Sequence, residues 1–460
     1  MARTGYLDVQ PSAQQSSLRA IAEHVFWLML RNLATDDFVF VDPGSAGSAS
    51  AAGCVLASPT YPDPPVPAGE GGPQNYLFNW TRDAAIAAME LAAPAALLSA
   101  AQRKQRLSDY VSFAALCQTH IPDEDHWDDF ARACYTMEGS PREWSNQSDG
   151  PALQTLALLQ ASPFVGPAMQ ATIGKLVTAN VQFLLTAYKR PTTSLWEEEE
   201  GGSFFARAVQ LRCFEAVRTN EVGLAVPARV DDGIAWLEEA LPRHWSADSG
   251  CYLTFEPPWN PNPANKHQPY DPNIDIVLAV LYGSVPTGDG GDPFLDPRLL
   301  ASAGAIRAVW TDSPDHRYPI NAVDAALGLG PLLGRYPSDY YGGDTNDPQT
   351  PGHPWALCTS AFAELYYRVA GAIGSTGVVP SDALATEFLG QVKMAPENSA
   401  ADVSSALRNA GDRMMQALVF HSDNLQLSEQ FDRHSGFERS LPNLTWSFAS
   451  FLSAVRASLA

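Results

Sequence analysis

Between Gln14 and Leu33 the apolar residues Leu18, Ile21, Val25, Leu28 and Met29 recur every three or four positions. That spacing lines them up on one face of a helix. The same period returns at Arg82–Leu91, Leu98–Cys117, Gly150–Gln160, Pro167–Tyr188 and Ser203–Arg218. It continues at Val230–Leu241, Asn273–Leu281, Leu299–Trp310, Trp355–Ala370, Ser404–Phe420 and Leu441–Leu459. The pattern predicts about twelve helices. Alternation with a period of two is confined to short runs at Phe38–Val41 and Tyr252–Phe255.

Long non-helical stretches separate many of these segments: Pro43–Pro73, Glu256–Pro272, Ser284–Pro297 and Pro337–Pro354. They are rich in Gly, Pro and Ser, yet they hold Tyr61, Trp259, Tyr270, Tyr340 and Tyr341. Long loops with aromatic anchors on a helical scaffold are usually functional. No linker followed by a second composition interrupts the chain, so 1–460 reads as one domain. Twelve helices taken as six hairpins fit a closed double ring, six inner helices packed on six outer ones. The loops at one end would then build a pocket.

Composition narrows the partners. The 460 residues carry a net charge of −22, which repels nucleic acid and anionic membranes and suits a neutral substrate. No apolar run is long enough to span a bilayer. The start of the chain, MARTGYLDVQPSAQQ, has no apolar leader core. Six cysteines, with no C-x-x-C pair among them, argue against zinc or redox chemistry. Several, such as Cys117, sit in apolar helical surroundings and read as buried free thiols.

Candidate chemistry lies in the loops. At 194–205 (SLWEEEEGGSFF) four glutamates follow a tryptophan and stop at a Gly-Gly turn before a helix. Crowded carboxylates oppose each other's ionisation and raise the pKa of at least one, as a general acid requires. A second acidic loop, LSEQFD at 427–432, lies far away in sequence. Hydrolysis of a glycosidic bond with inversion needs two such carboxyls, roughly 6.5–9.5 Å apart. The run 75–83 (NYLFNWTRD) leads aromatic residues into an Arg-Asp pair at a helix start, a grouping suited to sugar faces and hydroxyls. WSNQSDGP at 144–151, GRYPSD at 334–339 and GHPWALCT at 352–359 each open a turn or helix.

These motifs, in this order, resemble glycoside hydrolase family 15, and within it the catalytic domain of glucoamylases, from about Leu18 to Ala457. The resemblance implies an all-α (α/α)6 barrel and inverting release of β-glucose from the non-reducing ends of α-1,4-glucans. It implies Glu197 as general acid, Glu429 as general base and Gln430 beside the attacking water. Arg82 and Asp83 match the pair that grips the terminal glucose, with Tyr76 and Trp80 lining its pocket. Glu198 matches a residue bonded to the next sugar, Arg335 a substrate-binding arginine and Asp339 its support. Trp144 resembles a tryptophan covering the second sugar, and Trp196 and Trp355 belong to the pocket wall. No metal or cofactor is implied, and a monomer is expected. Relatives of this kind are usually secreted. Other expectations compatible with the motifs are a trehalase, a glucodextranase, or a non-catalytic glucan-binding protein.

Some positions depart from the family pattern. Ser194 stands where fungal members commonly carry Asp. Glu199 and Glu200 add charge beside Glu197, which should raise its pKa. Trp144 precedes Gln147 by three residues rather than four, and the Gly342–Pro351 loop is long. No starch-binding module is visible. Asn79, Asn146 and Asn443 satisfy N-x-Ser/Thr, but all lie in or beside the motifs and are poor glycosylation candidates.

Overall fold

The computed structural model describes residues 11–42, 48–59, 76–94, 96–121, 129–220, 223–261, 269–288, 290–342 and 351–460. Tyr61, Asn75 and much of the loops at 43–73, 256–272 and 342–351 lie outside them. The described helices are α1 (Pro11–Leu30), α2 (Thr81–Ala92), α3 (Ala100–Thr119), α4 (Asp149–Ala161) and α5 (Pro167–Ala187). They continue as α6 (Phe204–Arg218), α7 (Val230–Ala240), α8 (Asp275–Tyr282), α9 (Pro297–Thr311) and α10 (Pro319–Leu327). The last are α11 (Ala356–Thr376), α12 (Thr386–Gly390), α13 (Ala400–His421) and α14 (Thr445–Ser458).

The ring closes. Helix α2 packs on α4, α4 on α6, α6 on α8, α8 on α11, α11 on α14, and α14 returns to α2. Around this inner ring, α3 lies on α2, α5 on α4, α7 on α6, α9 on α8, α13 on α11 and α1 on α14. The sequences explain who goes where. In α2 (TRDAAIAAMELA) every residue but Met89 is buried, and its alanines let neighbouring backbones approach closely. α8 (DIVLAVLY) is apolar on all sides, as an element walled in on every face must be. The outer α7 buries only Val230, Gly233, Ile234, Leu237 and Ala240, the stripe of an amphipathic helix.

All twelve expected helices are present. The expectation missed α10 and the one-turn α12. The inward side of α10 carries Asn321 and Asp324 beside Ile320, so its apolar period is broken. Those polar groups are satisfied instead: Asn321 donates to the carbonyls of Trp310 and Leu332, and Asp324 meets His421 at 3.0 Å. The two strand-like runs shrink. Phe38 and Val41 each make a lone bridge, and only Cys251–Tyr252 of the second region forms a strand.

Four two-stranded ladders brace one end of the ring. β1 (Asn79–Trp80) pairs with β2 (Cys134–Tyr135), and β3 (Thr192–Thr193) with β4 (Glu200–Gly201). β5 (Trp245–Ser246) pairs with β6 (Cys251–Tyr252), and β7 (Gln430–Phe431) with β8 (Glu438–Arg439). All six cysteines are buried and unbridged.

Candidate active site

Five of the six inner helices start beside or shortly after a motif, and α8 starts beside Asn273, which no motif contains. Trp80 precedes α2, Gln147 precedes α4, and the glutamate run precedes α6. Asn273 precedes α8, Trp355 precedes α11, and the 427–443 segment precedes α14. The six amino termini therefore share one end of the ring. Each carries roughly half a positive charge, which favours carboxylates there.

The glutamate run sits on the turn between β3 and β4. Glu197 holds φ at +65°, a left-handed conformation that a residue other than glycine pays about 1–3 kcal/mol to adopt. Ser194 steadies the turn from behind. Its buried hydroxyl oxygen accepts from Tyr270 at 3.1 Å and from the backbone N–H groups of Glu198 and Glu199 at 3.4 Å. The glycines that end the run are needed for fit: a Cβ at Gly201 would come within 2.4 Å of the Phe255 ring.

Glu197 is held by two indoles. Trp80 Nε1 donates to Oε1 at 2.8 Å, and Trp144 Nε1 donates to Oε2. Arg82 Nη2 lies 3.8 Å from Oε1. Burial pushes the Glu198 carboxyl up to about 7. Glu199 is buried and Glu200 is exposed.

Glu429 is held by hydroxyls. Tyr76 donates to Oε1 at 2.9 Å, Tyr341 to Oε2 at 3.3 Å, and Ser440 also donates to Oε2. Burial raises its pKa, and these donors with Arg335 partly oppose the rise. Tyr76 and Trp80 touch at 5.3 Å between ring centroids, so one aromatic pair links the two carboxyls. Gln430 is fully buried, and its Nε2 donates to the Tyr341 carbonyl at 3.0 Å.

Two arginines organise the rest. Arg82 donates to Gln147 at 2.9 Å and to Asp149 at 3.1 Å, and its Nε lies 3.5 Å from Asp83. Burial pushes Asp83 up to about 7, against the pull of Arg82. Arg335 grips Asp339 with two bonds of 2.6 and 2.8 Å and reaches Glu198 at 2.8 Å. Its guanidinium carbon lies 5.0–5.2 Å from the rings of Trp196, Tyr336, Tyr341 and Trp355. Tyr336 donates to Glu198 at 2.5 Å and Tyr270 at 3.4 Å. Trp196 donates to Asn273 at 3.0 Å.

All thirteen expected site residues lie at this end of the ring. Tyr336, Tyr341, Gln147, Asp149, Tyr270 and Ser440 join them without having been expected there. Tyr336, Gln147 and Asp149 sit inside the recognised motifs, so motif membership could have found them, and Tyr341 and Tyr270 were visible only as loop aromatics. Ser440 carries no local signal. Among the described residues no group of three His, Cys, Asp or Glu side chains could hold a metal, and no helix is long and apolar enough to cross a membrane.

A closed helical ring with two carboxyls joined by an aromatic pair at its amino-terminal end is the architecture of a helical-barrel glycoside hydrolase. The chain belongs to the family described as Glycosyl hydrolases family 15, whose profile matches residues 42–456. It is 25% identical over 451 residues to a glucoamylase of Blastobotrys adeninivorans, across 89% of this chain and 67% of that protein. A glucoamylase of Rhizopus oryzae is 26% identical over 456 residues, across 93% of this chain and 68% of that one. The fold matches the glucoamylase from Saccharomycopsis fibuligera with a TM-score of 0.77 at 20% identity, covering 100% of this chain and 98% of that chain. It matches the family 15 glucoamylase from Hypocrea jecorina with a TM-score of 0.74 at 22% identity, covering 98% and 72%.

Proposed function

We propose that Glu197 and Glu429 are the acid and base with which this chain, an exo-acting glycoside hydrolase, releases β-glucose from the non-reducing ends of α-1,4-glucans. The observation that carries the reading is the pair itself: two carboxyls anchored to opposite partners of one Tyr76–Trp80 contact, in a pocket lined with aromatic rings and arginines. Such a pair acts on one bond from two sides.

The two indoles that meet Glu197 can donate but not accept, so neither competes with the glycosidic oxygen for the proton the acid gives. As that bond breaks, positive charge grows on the terminal sugar. Glu429 takes a proton from water on the opposite face, and the attack inverts the anomeric centre. Hydroxyl recognition falls to the charged ends of Arg82, Asp83 and Arg335, which stand beside the two carboxyls. Directional hydrogen bonds from such groups penalise a ligand that lacks the matching hydroxyls. One closed ring supplies every site residue, so we take a single chain as the catalytic unit.

Proton NMR during the first minutes with maltoheptaose tests this. Early β-glucose is expected. Early α-glucose would mean retention and would overturn the roles given to Glu197 and Glu429.

A further inference from the structure

Trp144 is 56% exposed, yet its indole N–H donates to Glu197 Oε2. An exposed ring can change rotamer, and a donor that wanders cannot orient a carboxyl. We propose that Arg142 is a positioning residue for Glu197: its guanidinium, stacked between the rings of Phe78 and Trp144, keeps the indole on the carboxyl. The inference rests on Glu197 being the general acid.

The backbone around the tryptophan is fixed on both sides. Arg142 N–H donates to the Cys134 carbonyl at 3.1 Å, and Ala133 N–H donates to the Ser145 carbonyl at 2.9 Å. Pro141 bridges Tyr135, and Asn146 bridges Arg132, both antiparallel. The chain at 141–146 therefore runs back along 132–135, which contains β2, the partner of the strand that carries Trp80. These bonds place the Trp144 backbone. They leave its side-chain torsions to be settled by what the ring touches.

The side chains settle them. The Arg142 guanidinium carbon lies 4.1 Å from the Phe78 ring centroid and 4.3 Å from that of Trp144. The two rings make no contact with each other, so the guanidinium lies between them. A guanidinium is flat and weakly hydrated, so it can stack on rings at both faces. Phe78 is anchored in turn. Its carbonyl accepts from the Ala57 N–H at 3.0 Å, and its ring meets Trp80 edge-on at 6.3 Å. Trp80 donates to the other oxygen of Glu197 at 2.8 Å. One stack, Trp144–Arg142–Phe78–Trp80, thus joins both donors of the acid and fixes the spacing between them.

Arg142 meets no carboxylate among the described residues, whereas Arg132 nearby is tied to Asp129 at 3.2 Å. No aromatic ring touches Trp144 among the described residues either. Arg142 therefore serves as a flat plate against the indole rather than as half of an ion pair.

The test reads kcat, KM and the indole N–H resonance of Trp144, identified by its loss in Trp144→Phe. In Arg142→Ala, exchange of that N–H with water should quicken about tenfold and kcat on maltose should fall about tenfold, with KM within about twofold of the parent. Arg142→Lys keeps the charge without the plate and should regain only part of the loss. Trp144→Phe keeps the ring without the donor, so adding Arg142→Ala there should change kcat by less than about twofold. Melting curves check that folding is intact, and Arg142→Lys carries the exchange measurement if Arg142→Ala is unstable. Unchanged exchange in Arg142→Ala overturns the proposal, as does full recovery in Arg142→Lys or a tenfold loss, about that of the parent background, in Trp144→Phe. A change in KM alone would make Arg142 a substrate contact and overturn it too. If exchange quickens while Glu197→Gln keeps near-parent kcat, the brace on Trp144 stands and the catalytic reading fails separately.

Discussion

Glu197 and Glu429 lie in one pocket but are held in opposite ways. Glu197 stands on a left-handed backbone position, its side chain is 17% exposed, and its partners are indole N–H groups. Glu429 leads into a strand tied to α11, is 3% exposed, and is surrounded by the hydroxyls of Tyr76, Tyr341 and Ser440. An indole can only donate, so it fixes where the carboxyl oxygens sit and leaves the acid's proton to the substrate. A hydroxyl can donate or accept, so three of them follow a group that must gain and lose a proton with water beside it. The proposed acid is thus placed by rigid donors and a costly backbone turn. The proposed base is tuned by adaptable donors against its burial.

The largest break in this comparison is removal of either group. Glu197→Gln and Glu429→Gln should each lower kcat on maltose by about 10²–10⁴-fold, with melting temperatures close to the parent. A variant retaining near-parent kcat would remove that residue from the mechanism.

Ser440→Ala probes the tuned side alone. Burial already raises the pKa of Glu429, and Ser440 is the foremost group opposing that rise. Without it the pKa climbs further. The base works ionised, so activity falls as pH drops through its pKa, and the acid limb of kcat/KM against pH should move to higher pH. The loss should be several-fold on that limb and vanish at neutral pH. An acid limb that stays in place would show that the hydroxyls do not tune the base.

The smallest effect separates the two backbones. Glycine takes positive φ freely, so Glu197→Gly should be more stable than Glu197→Ala by about 1 kcal/mol, though both are inactive. At Glu429, where the backbone is ordinary, Gly should be the less stable of the two. Equal stabilities for Gly and Ala at 197 would argue against strain at the acid.

Pairs at long separation were not legible beforehand, and the reason lies in particular residues. Nothing near Ser440 marks it as a partner of Glu429; a hairpin and a φ of +60° bring it there. Tyr341 was visible only as an aromatic in a loop, and nothing near Gln430 marks its amide as the donor to the Tyr341 carbonyl. The helix α10 escaped because its inward face is polar, and that face makes sense only once His421 and the carbonyls of Trp310 and Leu332 are beside it.

The linear chain by itself determined what depends on neighbours three or four residues away: twelve amphipathic or wholly apolar segments, their starts, and motifs that place Arg82 in the first turn of α2 and Glu197, Glu429 and Arg335 in the loops between helices. Helical period and turn chemistry are local, so they can be read locally. Only the tertiary structure decided that α14 closes onto α2, that Tyr76 meets Glu429 across 353 positions, and that one carboxyl receives indoles and the other hydroxyls. Those outcomes depend on how packed helices orient side chains at the end of a ring, and no short stretch of chain carries that information.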